Sequence, residues 1–447
     1  LCKGRRAQRQ GFIVPLLGGV RGGLDKRHNC TTETNNIILI QKTNNIMLKG
    51  NALIGQSGGP TSVINSSLAG VIKTSLSSTF IKHIYGMNYG IEGFMQEMIF
   101  DLGKQPEKVI RGLRRTPSSA LGSSRHKVQD KDFPVILNVL KKFNIRYFFL
   151  IGGNDTMDTI HRVEEYCRTQ KYELRGIGIP KTVDNDLFGT DHTPGFASAA
   201  RSNILNVMQG GVLARDMQKV DKFVIYQTIG RDAGWLAAAT AMARKNEDDA
   251  PHLIYCPEFH FDRDKFLKDV DKCIRSYGWV SVVCGEGLKY ADGTPVSAST
   301  TKDKFNNIEF GAMGGTSVAT NLHGMIVDEF GYRGEFQITE SLIMSDFIRA
   351  SEVDLEEAYR CGVEAVRLAE KGDSGVMVSI KRKSNRPYKI EFGKVPLKEV
   401  AVSAKPMPPA YFNKEGNHVS SKFLDYMKPL AGELPKFVRL EKVYAKK

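Results

Sequence analysis

YFFLIGGNDTMDTIHRVEEYCRT, residues 147–169, decides the fold class. Tyr147 to Gly152 is an unbroken apolar run of strand length, and it passes through the loop GGND directly into a helical stretch. That succession is one βα unit. Outward from it, NALIG at 51–55 precedes the loop QSGGPT and a helix carrying Val63, Leu68, Val71 and Ile72, while GIGIP at 176–180 closes on KTVDND. Short apolar runs alternating with longer helical stretches signal parallel strands joined by crossovers, so the chain reads as α/β. In all three units the glycines and polar residues stand just past a strand's carboxyl end. Open α/β sheets bind ligands there.

Further units follow the same rhythm: strands at 223–227, 253–255 and 280–284, helices from Ala233 and Asp262, and a strand at 376–380. Asp354 with Glu357 three residues on looks like a capping box opening a helix whose apolar Leu355, Ala358, Tyr359, Ala365 and Val366 keep helical spacing. From Lys381 the chain turns polar and proline-containing and ends in a basic tail, which is expected to wrap around the rest. Residues 1–46 have neither period, pair glycines at 18–19 and 22–23, and are rich in Thr and Asn. They read as a basic, unstructured extension, either an Arg-rich targeting segment or an upstream extension before the coherent strand that follows Met47; the lack of an amphipathic helix favours the second.

The 447 residues, 41% hydrophobic and 25% charged, have ordinary globular composition and suffice for two or three domains. No stretch approaches the roughly 18–20 uninterrupted apolar residues that span a bilayer, so no membrane partner is expected. The seven cysteines are scattered without a CxxC pair, which fits free thiols in a reducing cytoplasm. The net charge of +14 raises the question of nucleic acid, but residues 1–46 hold eight Lys or Arg against Asp25 and Glu33, so +6 of it sits in the extension. The remaining excess suits anionic phosphate substrates as well as polyanions. No nucleic-acid partner is expected.

Three loops carry chemistry. In QSGGPTSVIN, Gly58 and Gly59 allow the backbone close to an anion, and the helix after them offers unpaired N–H groups; neither the P-loop nor the dinucleotide pattern is satisfied. In GGNDTMDT, Asp155 beside phosphate-cradling backbone would repel a phosphate unless a divalent cation lay between them, although Asn154 or Asp155 also suits a helix cap. In PKTVDNDLFGTDHTPGF, Asp184, Asp186 and Asp191 crowd together beside Lys181. Carboxylates so close need a metal, a lysine or a shared proton.

SGGPTSVIN, LGSSR, IGGNDT, GIPKTVDNDLFGTDHTPGFASAA, IGRDAGWLAAA and HLIYCPE, in that order, resemble the successive signature segments of the phosphofructokinase family, with weaker similarity through DLEEAYRCG and SGVMVSIKR. The resemblance implies two Rossmann-like three-layer αβα domains with mostly parallel sheets. It assigns 47–195 with about 345–395 to a larger domain on the diphosphate and Mg²⁺ side, 196–344 to a smaller domain on the sugar-phosphate side, and 396–447 to a C-terminal wrap. It implies a homodimer or homotetramer that phosphorylates the 1-hydroxyl of fructose 6-phosphate with Mg²⁺ as cofactor. Asp184 is then the general base, Thr182 and Asp186 hold substrate and magnesium, and Arg125 stabilises the transferred phosphoryl together with Gly58. Gly230, Arg231 and Glu258 contact the phosphosugar, and Lys222 reaches a neighbouring subunit's site. ATP-using members carry glycine where Asp155 and Lys181 stand. Two longer side chains obstruct a nucleotide while Lys181 attracts diphosphate, so the expected donor is diphosphate, held by Gly58, Gly59, Asp155 and Lys181.

Two departures bear on the acceptor and the metal. Many relatives have aspartate at the position of Asn154, which shifts metal binding toward Asp155 and Asp186. Close relatives also carry two arginines and a ring that clamp the sugar 6-phosphate, where this chain has Glu335, Met344 and Ser341. A carboxylate there disfavours phosphate by charge and desolvation. Either Arg333 or Arg349 rebuilds the clamp, or the acceptor is another sugar, sugar phosphate or polyol; a silent regulatory homologue is the alternative that the intact Asp184, Thr182, Asp186 and Arg125 oppose.

Overall fold

The computed structural model describes residues 48–124, 126–298, 315–441 and 443–445. Eleven strands lie among them: β1 Gly50–Gln56, β2 Ile81–Met87, β3 Ile99–Asp101, β4 Ile145–Gly152, β5 Arg175–Pro180, β6 Phe223–Thr228, β7 Leu253–Tyr255, β8 Val280–Gly285, β9 Gly334–Ile338, β10 Val376–Asn385 and β11 Tyr388–Pro396. The first sheet runs β11-β10-β5-β4-β1-β2-β3 and the second β7-β8-β6-β9. In the first, the five central strands are parallel and one antiparallel strand closes each edge; the second is wholly parallel. The α/β expectation holds.

β4 and β1 are buried along nearly their whole length because helices cover both faces, which is why they read as continuous apolar runs rather than alternating ones. The helices that matter below are α1 Ile64–Leu76, α2 Asn154–Thr169, α3 Phe196–Asp216, α4 Trp235–Ala239, α5 Arg263–Tyr277, α6 Val318–Phe330, α7 Glu352–Glu370 and α8 Ser421–Ala431. One face of the first sheet packs on α1 and α7, and Ile54, Phe149, Ile177, Leu68, Ile72 and Val366 belong to that core. The other face carries α2, with Leu53, Phe148, Leu150, Met157 and Ile160. Burying each such side chain contributes roughly 1.5–3 kcal/mol.

α1 and α7 touch backbone to backbone. A Cβ on Gly70 would lie 2.1 Å from the Tyr359 carbonyl oxygen, and one on Gly362 would lie 2.1 Å from that of Ser67. Only glycine at both positions permits this approach, and it seats α7 close over the strands whose ends carry the site.

Some elements differ from expectation. The helix expected from Asp354 begins at Glu352 with Ser351 as its cap, and Asp354 does not cap its own helix. Its buried carboxylate instead accepts from the backbone N–H of Gly195 and Ser198 and from Ser198 Oγ, pinning the start of α3. Neither Asn154 nor Asp155 caps α2: Gly153 holds the N-cap position without a side-chain bond. The stretch after Lys381 is not all wrap, since β10 continues to Asn385 and turns into the edge strand β11. Residues 1–46 lie outside the described residues. The five described cysteines, Cys167, Cys256, Cys273, Cys284 and Cys361, are free and buried. Among the described residues no helix is long and apolar enough to cross a membrane.

Candidate active site

In the first sheet the neighbours β1 and β4 lead away from each other, to β2 and β5, and in the second the onward connections of the neighbours β6 and β8 run in opposite directions past one another, to β7 and β9. The crevices at such switch points accept ligands because no loop closes over them. The loops after β1, β4 and β5 gather at the first, and those after β6 and β8 at the second.

Gly58 has φ +75°, a conformation that only glycine adopts without strain, and Ser123 Oγ donates to its carbonyl at 2.8 Å. A Cβ on Gly58 would stand 3.1 Å from Lys181 Nζ. Lys181 Nζ itself donates to Gly59 O at 2.7 Å, and the Lys181 N–H donates to Gly152 O at 3.1 Å. One residue after β5 thus joins the loops after β1 and β4. Lys181 is buried, and burial lowers its ammonium pKa to about 8 although Asp184 and Asp186 pull it upward. A cation kept in that position without a full ion pair is suited to an anion entering over the glycines.

The Asp184 N–H donates to Thr182 Oγ1 at 3.2 Å, and Asn185 bends the loop at φ +56°. Asn185 Oδ1 accepts from the Thr193 N–H at 3.1 Å, and Thr193 Oγ1 donates to Thr182 O at 2.8 Å. These bonds fix the loop that carries Asp184 and Asp186, whose charges act on each other. Burial and then the Asp186 charge push the Asp184 carboxyl up to about 6, against Arg231 and Lys181. Asp186 is raised chiefly by burial, with Lys405 and Arg231 opposing and Asp232 reinforcing the shift. Five expected site residues, Lys181, Thr182, Asp184, Asp186 and Arg231, therefore meet, with Asp232 as an unexpected sixth.

Asp155 sits in the first turn of α2, and a Cβ on Gly153 just before it would lie 3.9 Å from the Lys181 carbonyl. Among the described residues no group of three or more His, Cys, Asp or Glu side chains forms a metal cage. Asn154 Oδ1 is buried with no hydrogen-bond partner among the described residues. A set of one or two carboxylates and a free amide oxygen suits Mg²⁺, which keeps several waters and takes other ligands from phosphate. Arg125 lies outside the described residues.

The second crevice holds the residues expected on the acceptor side and adds one to them. The Gly230 N–H donates to Glu286 Oε1 at 3.1 Å, and Glu286, just past β8, is raised to about 7, first by burial and further by Asp184 and Glu340. Sequence reasoning passes over Glu286 because CGEG offers one carboxylate with no spacing signal; its place directly after a strand is the available clue. Glu258 Oε1 accepts from the Gly234 N–H at 2.9 Å, supporting the turn before α4, and its Oε2 has no hydrogen-bond partner among the described residues. Lys222 precedes β6, at its amino end, with Nζ 3.4 Å from Gly278 O. A six-residue strand, roughly 20 Å, separates it from Gly230 within the chain.

Glu335 is exposed at the amino end of β9 and accepts from Gln337 Nε2 at 2.9 Å. Met344 lies against the phosphate-loop candidate: a Cβ on Gly59 would meet its Cε at 2.6 Å, and Ser62 Oγ donates to the carbonyls of Met344 and Asp346. Arg333 pairs with Asp221 at 2.9 Å, and Arg349 bonds Asn206 beside Asp346. Ser341 is exposed in the short helical turn Glu340–Met344.

A family model described as phosphofructokinase matches residues 51–369. The chain is 36% identical over 414 residues to the pyrophosphate–fructose 6-phosphate 1-phosphotransferase of Xanthomonas campestris pv. campestris (strain B100), covering 89% of this chain and 97% of that one. It is 31% identical to a sulfofructose kinase of Alkalicoccus urumqiensis, over 81% of this chain and 91% of the relative. The crystal structure of a pyrophosphate-dependent phosphofructokinase from Nitrosospira multiformis superposes with a TM-score of 0.78 at 34% identity, covering 88% of this chain and 95% of that chain.

Proposed function

The chain belongs to the phosphofructokinase family, and on that premise we propose that it is a phosphotransferase that moves a phosphoryl group from inorganic diphosphate to the 1-hydroxyl of fructose 6-phosphate. The observation that carries this reading is the buried Lys181, whose ammonium bonds Gly59 O while facing Asp184 and Asp186. It fills space beside the glycine loop and brings a positive charge to it. That combination attracts diphosphate and leaves less room for a nucleotide.

In this reading Gly58 and Gly59 offer backbone to the phosphates, Lys181 neutralises them, and Asp184 accepts the proton of the attacking hydroxyl. Asp186 and Asp155, with the unpartnered Asn154 Oδ1, would hold Mg²⁺, which when bound neutralises charge on the diphosphate oxygens. Arg231, Gly230 and Glu258, together with Glu286 bonded to Gly230, orient the acceptor. A carboxyl poised near neutrality, such as Glu286, both donates to and accepts from sugar hydroxyls. Lys222, at the far end of β6, would serve the site of a neighbouring subunit in a homo-oligomer. The parts about 47–195 with 345–395 would carry the donor, and 196–344 the acceptor.

One set of observations supports a second reading for the acceptor. Arg333 is engaged by Asp221, and Arg349 by Asn206 and Asp346, so both guanidinium groups already have partners in the folded chain. With Glu335 and Met344 in place of cations, the acceptor is then a sugar without a 6-phosphate. A Mg²⁺ assay of diphosphate against ATP, over fructose 6-phosphate, fructose and sedoheptulose 7-phosphate, separates these cases. Turnover with ATP but not diphosphate would overturn the donor assignment; fructose preferred over fructose 6-phosphate would select the second acceptor.

A further inference from the structure

We propose that Lys405, brought by the chain's C-terminal segment, is a positioning residue for phosphoryl transfer: its ammonium ties the loop carrying Asp184 and Asp186 to the helix start carrying Trp235. The inference rests on the reading of Asp184 and Asp186 given above.

The main chain makes the first connection. Ala404 forms an antiparallel bridge with Leu187, and the Lys405 N–H donates to Asp186 O at 2.6 Å. The C-terminal segment therefore runs along the acidic loop as a short added strand. The side chain makes the second. Nζ donates to Asn185 Oδ1 at 3.1 Å, Thr190 O at 3.2 Å and Asp191 O at 2.7 Å. An ammonium has three protons, and these three acceptors all belong to the loop between β5 and α3.

The third connection crosses to the other half of the site. Nζ lies 5.0 Å from the centre of the Trp235 ring, within the range of a cation–π contact. Trp235 is the first residue of α4 and follows Arg231 by four positions. Its buried indole N–H has no hydrogen-bond partner among the described residues, so ring contacts hold it: Phe196, Tyr411, Phe423 and Tyr426 on its flanks, and Lys405 toward the loop. One atom thus touches the donor-side loop and the helix behind the acceptor-side turn. Burying a lysine in that place is costly unless every proton is used, and here every proton is.

The test uses the full chain in a Trp279→Phe background, where Trp235 is the remaining tryptophan of two. Lys405→Met and Lys405→Gln are compared with this parent at a fixed interval, about 20 °C, below each protein's own Tm, so that lost folding does not mimic lost turnover. The readouts are kcat, KM for magnesium diphosphate, and Trp235 emission during titration with magnesium diphosphate alone. The expected result is a kcat at least about tenfold lower in each folded variant, a smaller change in KM, and loss of the Trp235 response that the parent shows. A folded variant with kcat within about twofold of the parent, or with the parent's emission response intact, overturns the proposal. So does a parent whose Trp235 does not respond. If Lys405→Met does not fold, Lys405→Gln, which keeps a donor, decides the case. Should the parent bind magnesium diphosphate but transfer it to no acceptor, the functional reading fails while the emission arm still judges Lys405.

Discussion

Asp184 and Lys181 are three residues apart and carry opposite charges, and the role proposed for each can be tested alone. Replacing Asp184 by alanine is expected to lower kcat by about 10² to 10⁴, the usual worth of a general base, while diphosphate binding measured by calorimetry persists. Near-normal turnover would remove Asp184 from the mechanism. Asp155→Gly together with Lys181→Gly should weaken diphosphate use and admit some ATP, read as a change in the ratio of kcat/KM for the two donors. Unchanged diphosphate activity with no gain for ATP refutes the donor argument. These residues are legible in the sequence because their types are unusual where they stand, directly past apolar strands. Glu286 and Lys405 are not. A single carboxylate in CGEG and a lysine in a proline-containing tail have no spacing partner nearby, and their partners, Gly230 and the 185–191 loop, are distant in sequence.

Among the elements, the α1–α7 crossing sets helix backbone against helix backbone and gives a simple prediction. Gly362→Ala should destabilise the protein by about 1–3 kcal/mol despite alanine's advantage of about 1 kcal/mol in helices, because the new Cβ meets the Ser67 carbonyl at 2.1 Å. Thermal unfolding measures it, and a Tm at or above wild type would contradict the packing argument. β8 offers a pH-dependent counterpart. His252 accepts the Ser281 N–H on Nδ1 at 2.9 Å and stacks on Tyr277, and burial lowers its pKa to about 4 from 6.5. The unfolded chain takes up that proton first as pH falls, so this contribution is whole above about 6.5 and is lost progressively toward about 4. The stability difference between wild type and His252→Gln, from urea unfolding, should therefore be largest at pH 7 and shrink toward pH 5; a constant difference would count against it. Burial also explains which strands are plain in the amino-acid pattern. β1, β4, β5, β6 and β8 are buried on both faces and announce themselves as apolar runs. β9 and β11 are edge strands with exposed and half-exposed residues, and their mixed patterns resemble loops. Asp354 misleads because a spacing of three describes a cap equally well whether the carboxylate turns back on its own helix or, as here, reaches across to α3.

At the scale of the molecule, the placement of Lys222 turns the proposed oligomer into a kinetic question. If Lys222 of one subunit completes its neighbour's site, an equimolar mixture of Asp184→Ala and Lys222→Ala proteins, each inactive alone, should recover about a quarter of wild-type activity in a two-fold dimer after subunit exchange. No recovery under conditions that exchange subunits would confine the site to one chain. Deleting residues 1–46 should leave turnover unchanged, measured with the same donor and acceptor, and a large loss would give the extension a role in catalysis. The five buried thiols carry a further consequence. In the folded protein burial raises their pKa values, Cys167 to about 12 and Cys273 to about 11, so they are shielded from alkylating reagents and oxidants alike. Unfolding exposes all five at once. The rate of maleimide labelling at these five sites, followed by peptide mapping, then becomes a clock for opening of the structure around them, and heating in air becomes a one-way ratchet: each excursion to the unfolded state risks a cross-link that refolding cannot undo.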